Sequence, residues 1–185
     1  MRAWQRLAAV ALASAVAIGI SPAARADDAK VAAAEALFNE GRALLDKGRL
    51  EEACERFARS QQIDPAVGTL LNLGECYEKL DKIASAWAAY RQAAALAQTR
   101  NDDRRAALAR RAASNVEPRL ARLTIAVEPG TPGVVVERNG TPVEAAALDT
   151  PVPVDPGPQE ITATAPDHKR WKTTVVVAQG GSETV

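Results

Sequence analysis

Ala53 to Ala93, ACERFARSQQIDPAVGTLLNLGECYEKLDKIASAWAAYRQA, decides the fold. It holds the second half of one helical unit, a turn closed by Asp64-Pro65, and the whole of the next unit. Gly41, Ala53, Phe57 and Ser60 recur as Gly74, Ala86, Tyr90 and Ala93, each 33 residues later, and a fixed period of this size signals stacked repeats. Each position has a mechanical reason. A small residue suits the place where two antiparallel helices cross closely, and a bulky one fills the gap behind the crossing. On this reading Gly41 opposes Ala53, and Gly74 opposes Ala86.

Working outward, a first helix is expected from Ala29 to Lys47, where Val31, Ala34, Leu37, Phe38, Leu44 and Leu45 follow the 3.6-residue period. Gly48 ends it. A second runs from Leu50 to Gln62, stopped by Asp64-Pro65 because proline disfavours the helical region for the residue before it. A third spans Val67 to Leu80 and a fourth Ile83 to Ala97. A fifth, Asp102 to Glu117, carries Leu108, Ala112 and Val116 on one stripe. It opens with acids that suit a helix N-terminus and reads as the cap a two-repeat stack needs.

Leu70, Leu73-Gly74, Tyr77, Ala86 and Tyr90 resemble the tetratricopeptide family, whose pattern is W-x2-L-G-x2-Y followed by A, F and P at fixed spacings. The second unit has Leu70 for the Trp and Gln98 for the closing Pro; the first has Leu44 for the Tyr and keeps Pro65. The resemblance implies a concave groove, lined by the first helix of each repeat, that holds a protein or peptide. It singles out Asn39 and Asn72, 33 apart, whose amides could bond to an extended ligand's backbone, with Arg42 and Glu75 one turn further along. No Lys-rich clamp for a carboxylate terminus is present. The competing reading is ordinary surface or capping asparagines.

Beyond residue 120 the composition changes. Eight of the eleven prolines lie at or after Pro129, and the apolar period becomes alternating, as in Leu123, Ile125, Val127 and in Trp171, Thr173, Val175, Val177. Strands are expected near 121–127, 133–138, 159–165 and 170–177, with an edge segment at Val152 to Val154. Asn139-Gly140 marks a tight hairpin. Pro129-Gly130, the Val-rich strand before Asn139-Gly140, Thr150-Pro151 and Asp155-Pro156-Gly157 resemble the small β-sandwich known as the PEGA domain, with Asp149 in place of the usual Gly before Thr-Pro. That family has a further strand after its Gly-Gly turn, and here the chain stops at Val185 just as it would begin, which leaves the last sheet open. The expected class is α+β in two domains: an all-α tetratricopeptide-like domain over 27–120 and an all-β sandwich over 121–185.

The first 26 residues read as an export signal: Arg2 and Arg6, then an apolar run from Leu7 to Ile20, then Ala24-Arg25-Ala26. The run of 14 residues is shorter than the roughly 20 that a bilayer requires. Cleavage after Ala26 would leave 20 basic and 23 acidic side chains, a net charge of −3. The mature chain is expected in the periplasm or at the cell envelope, with no transmembrane segment. A mildly acidic chain is a poor candidate for binding nucleic acid.

Nothing points to catalysis, a cofactor or a metal. His168 sits in the charged turn Asp167-His168-Lys169, and no nucleophile elbow, phosphate loop or metal-spaced ligand cluster appears. Arg100, Arg104, Arg105, Arg110 and Arg111 stud the fifth helix, read as a solvated face ahead of an anion or membrane patch. Trp87 and Trp171 read as core or interface. Cys54 and Cys76 fall on helices that pack side by side, and in an oxidising compartment an even pair is expected to bridge. Two small buried hydrophobes are the alternative. The leading expectation is therefore a non-enzymatic scaffold that docks a protein or peptide. The alternative is a small-ligand or glycan-binding protein acting through the β domain.

Overall fold

The computed structural model describes residues 22–128 and 132–185. Five helices come first: α1 (Pro22–Asp46), α2 (Leu50–Ile63), α3 (Val67–Lys79), α4 (Ile83–Thr99) and α5 (Asp103–Val116). Each packs on the one before it. Most of the expected export signal lies outside the described residues. Its last five, Pro22 to Ala26, begin α1, which therefore starts earlier than the expected Ala29. Gly48 (φ 73°) and Asp81 (φ 55°), again 33 apart, take the left-handed conformation in the loops after α1 and α3, the usual way for a chain to leave a helix.

The close approach within each repeat is between glycine and an aromatic ring. A Cβ on Gly41 would stand 2.8 Å from Phe57 ring atoms, and one on Gly74 would lie closer still to the Tyr90 ring. The expected partners Ala53 and Ala86 are buried, but the ring is what each glycine admits. Phe57 is buried with Ala53, Cys54, Leu73, Cys76 and Ala89, so cutting it back to alanine would cost about 3–5 kcal/mol. The polar exception at this junction is satisfied: the buried Ser60 hydroxyl donates to the Ala34 carbonyl at 2.8 Å.

On α5 the buried residues are Ala106, Ala109, Ala113 and Val116; of the expected stripe, Val116 is buried and Ala112 packs partly against the core, while Leu108 is exposed. The face of α4 that meets it is also alanine, at Ala93, Ala94 and Ala97. With Ala106, Ala109 and Ala113 forming the face buried against α4, Leu108 falls outside that face and is exposed. Asp102 caps this helix by accepting the Arg105 N–H at 2.9 Å, and its carboxylate also pairs with the Arg105 guanidinium. That backbone bond, more than the guanidinium, holds the Asp102 carboxyl below the usual carboxylate range.

The β region forms two sheets. One has the order β4-β1-β7, from β1 (Ala121–Thr124), β4 (Val152–Val154) and β7 (Ser182–Thr184). The other has the order β3-β2-β5-β6, from β2 (Val135–Arg138), β3 (Thr141–Pro142), β5 (Gly157–Thr164) and β6 (Trp171–Val177). Between them lie Leu123, Ile125, Val136, Val154, Ile161 and Val177, the inward residues of alternating strands. Asn139 (φ 51°) and Gly140 (φ 75°) turn β2 into β3, as the Asn-Gly pair requires. Asp149 adopts the left-handed φ of 57°. Its backbone N–H donates to Ile125 at 2.9 Å.

After Gly180-Gly181 the chain forms β7, which pairs in parallel with β1, and Val185 donates to the Thr124 carbonyl at 2.9 Å. Three residues suffice because β1 already offers an unpaired edge. Of the two readings of Trp171, core or interface, its place at the start of β6 and 49% exposure leave the second.

The two regions meet at a polar junction. Arg119, just before β1, donates to Glu78 at 2.8 Å and to Asp81 at 3.2 Å. With the Gln179 amide oxygen turned toward it, Arg119 also donates to that residue at 2.6 Å.

Candidate binding face

The first helices of the repeats, α1 and α3, line one face with α5. A cleft of about 310 Å³ there is bounded by Val31, Ala34 and Phe38 from α1, Gly68 and Thr69 from α3, and Arg105 from α5. A second, of about 710 Å³, lies between α3 and α5 and is lined by Leu71, Arg104, Arg105, Leu108 and Arg111. Arg105 borders both, so the two clefts adjoin on this face. Val31 is 50% exposed and Leu108 55%. Each leaves apolar surface in water that a partner's side chain would cover, at roughly 25 cal/mol per Å². Among the described residues Arg104 and Arg111 form no ion pair, while Arg105 is held by Asp102.

None of the four residues expected in the groove lines either cleft. Asn39 and Arg42 are exposed on α1. Asn72 is half-buried and donates its amide N–H to the Gly68 carbonyl of its own helix at 2.8 Å. Glu75 pairs with Lys79 at 2.9 Å. The second cleft is lined instead by Leu108, expected to pack, and by its neighbours Arg104 and Arg111, read above as a solvated face. They share one face at i, i+4 and i+7, a stripe legible in the sequence.

Cys54 and Cys76 have Cα atoms 5.6 Å apart and sulfurs at bonding distance, tying α2 to α3. In the β region an apolar cleft of about 530 Å³ opens beside Trp171, with Ile125, Val127 and Val185 in its wall. His168 is exposed, with Nδ1 2.7 Å from the Pro166 carbonyl. No group of three or more potential metal ligands occurs among the described residues, and none of their helices is long and apolar enough to cross a membrane.

Residues 34–67 and 67–100 each match the family model of the tetratricopeptide repeat. The matches cover most of α1 and all of α2 to α4; α5 and the β region lie outside them. No curated protein matches the chain. The helical region is thus two tetratricopeptide repeats closed by α5. Such repeats generally serve as protein-interaction modules, and no catalytic family is indicated.

Proposed function

We propose that this chain is a non-enzymatic adaptor of the bacterial cell envelope whose repeats dock a protein segment along the concave face of α1, α3 and α5. The observation that carries this is the paired exposure of Val31 and Leu108, which line the two adjoining clefts. The β region is a PEGA-like sandwich that serves as spacer or second contact. Export is supported by the signal pattern at the N-terminus and by the paired cysteines, which persist in oxidising compartments. Cleavage after Ala26 would place Asp27 and Asp28 in the first turn of a shortened α1, where the helix dipole favours them.

The test is a photo-crosslinking residue placed at Leu108 and, separately, at Lys172 on the sandwich. A partner captured from position 108, and lost when Val31→Asp is added, supports the docking face. Capture from 172 alone would overturn it. Mass spectrometry of the exported chain should show Asp27 first, and an intact Met1 would remove the envelope assignment. The Trp171 cleft favours a second reading, a small apolar or glycan ligand held by the β region. Quenching of Trp171 fluorescence by such a ligand, absent in Trp171→Ala, would support that reading.

A further inference from the structure

We infer that the segment docked on this face is acidic and amphipathic, with its carboxylates at the α5 end; the inference rests on the docking face proposed above. The face is chemically graded along its length. At the α1 end Val31 and Phe38 are apolar, and the acids there are Glu35 and Asp64. At the α5 end Leu108 and Leu71 are flanked by Arg104, Arg105 and Arg111, against one acid, Asp102, which is paired with Arg105.

The cations at that end are not equivalent. Arg105 is committed to Asp102, and nearby Arg100 donates to the Pro65 carbonyl at 2.8 Å. Arg104 and Arg111 have no such partner among the described residues, and they sit on either side of the exposed leucine along one helical stripe. A guanidinium presents parallel donors that match a carboxylate. An apolar side chain laid on Leu108 would therefore carry its flanking carboxylates onto Arg104 and Arg111, neither of which is held in a close ion pair among the described residues. Glu35 and Asp64 disfavour the reverse orientation, because like charges brought together are penalised. Net charge does not supply this preference, since residues 27–120 hold fifteen basic and fifteen acidic side chains. The preference is local to one end of the face.

The probes are three labelled peptides with one leucine spacing and Glu, Gln or Lys at the polar positions, titrated against the full chain by fluorescence anisotropy. The Glu peptide should bind about tenfold tighter than the Gln peptide, as expected when two exposed charge pairs each add a modest increment. High salt should erase the advantage. The double variant Arg104→Glu, Arg111→Glu should reverse the order in favour of the Lys peptide. Both positions are exposed, and an unchanged melting temperature would show that the variant folds. Equal binding of the Glu and Gln peptides, abolished by Leu108→Asp, would overturn the acidic preference and leave the docking face standing. Binding by none of the three would also overturn it, with the docking face then judged by the crosslink from position 108.

Discussion

Asp155 of the β region caps α4: its Oδ1 accepts the Ser85 backbone N–H at 2.9 Å, and its Oδ2 accepts the Ser85 hydroxyl at 2.6 Å. Lys82, the local N-cap residue, makes no side-chain capping bond. The acceptor that α4 needs thus arrives from 70 residues away, bringing a negative charge to the positive end of the helix. The cap therefore belongs to the junction between the two regions. Asp155→Ala should cost about 1 kcal/mol, within the range for lost caps. It should also raise hydrogen exchange in the first turn of α4 and in β4 together, whereas a change confined to β4 would show that the cap does not couple the regions.

Reducing the Cys54–Cys76 bond should lower stability by about 3 kcal/mol, the loop-closure value for a span of this size, seen as a lower melting temperature in reductant. The oxidised, denatured chain should yield no free thiol. Two thiols before reduction would show the pair to be packing alone.

Gly74→Ala should destabilise by about 1–3 kcal/mol, the usual range for overpacking, because the new methyl would overlap the Tyr90 ring. Tyr90→Leu should absorb part of that loss, so the double variant will be less damaged than the sum of the singles. Strict additivity in thermal melts would remove the ring as the cause.

Stability should fall on the alkaline side. Burial first, then the Glu78 and Glu75 carboxylates and a bond to Glu78, push the Tyr90 phenol far above its ordinary value of 10.0. Burial and then Asp155 push Tyr77 up as well. The folded chain keeps these protons where the unfolded chain releases them, so the unfolded state binds fewer protons and stability drops as pH rises. The contribution is intact below about pH 10 and is lost progressively above it. Tyr90→Phe should flatten that limb in melting temperatures taken across about pH 8 to 11.

The helical part was legible because its information is local and periodic: the interval of 33 residues, the Gly48 stop and Asp64-Pro65 each act within a few positions. Asn139-Gly140 and the edge segment at Val152 to Val154 were legible for the same reason. What the chain hid depends on contacts made only after folding. Leu108 is exposed because the face of α5 buried against α4 is formed by Ala106, Ala109 and Ala113. The Asn72 amide donates to Gly68 within its own helix, and nothing near Ser85 in sequence announces Asp155.

The parallel pairing of β1 with β7 has a mechanical consequence. β1 follows directly from the helical repeats, and β7 runs beside it in the same direction to Val185, bonded at Arg122–Gly181, Thr124–Val185 and Ala126–Val185. Tension applied between the repeats and Val185 would drag these strands lengthwise past each other, so that these bonds and the β1–β7 ladder between them are strained at once instead of parting singly. Any molecule gripped by the repeats while Val185 is held would pull on the β region along its stiffest direction. Single-molecule stretching from those two points should give a higher rupture force than stretching from Asn139 and Val185, where the strands can peel apart in turn.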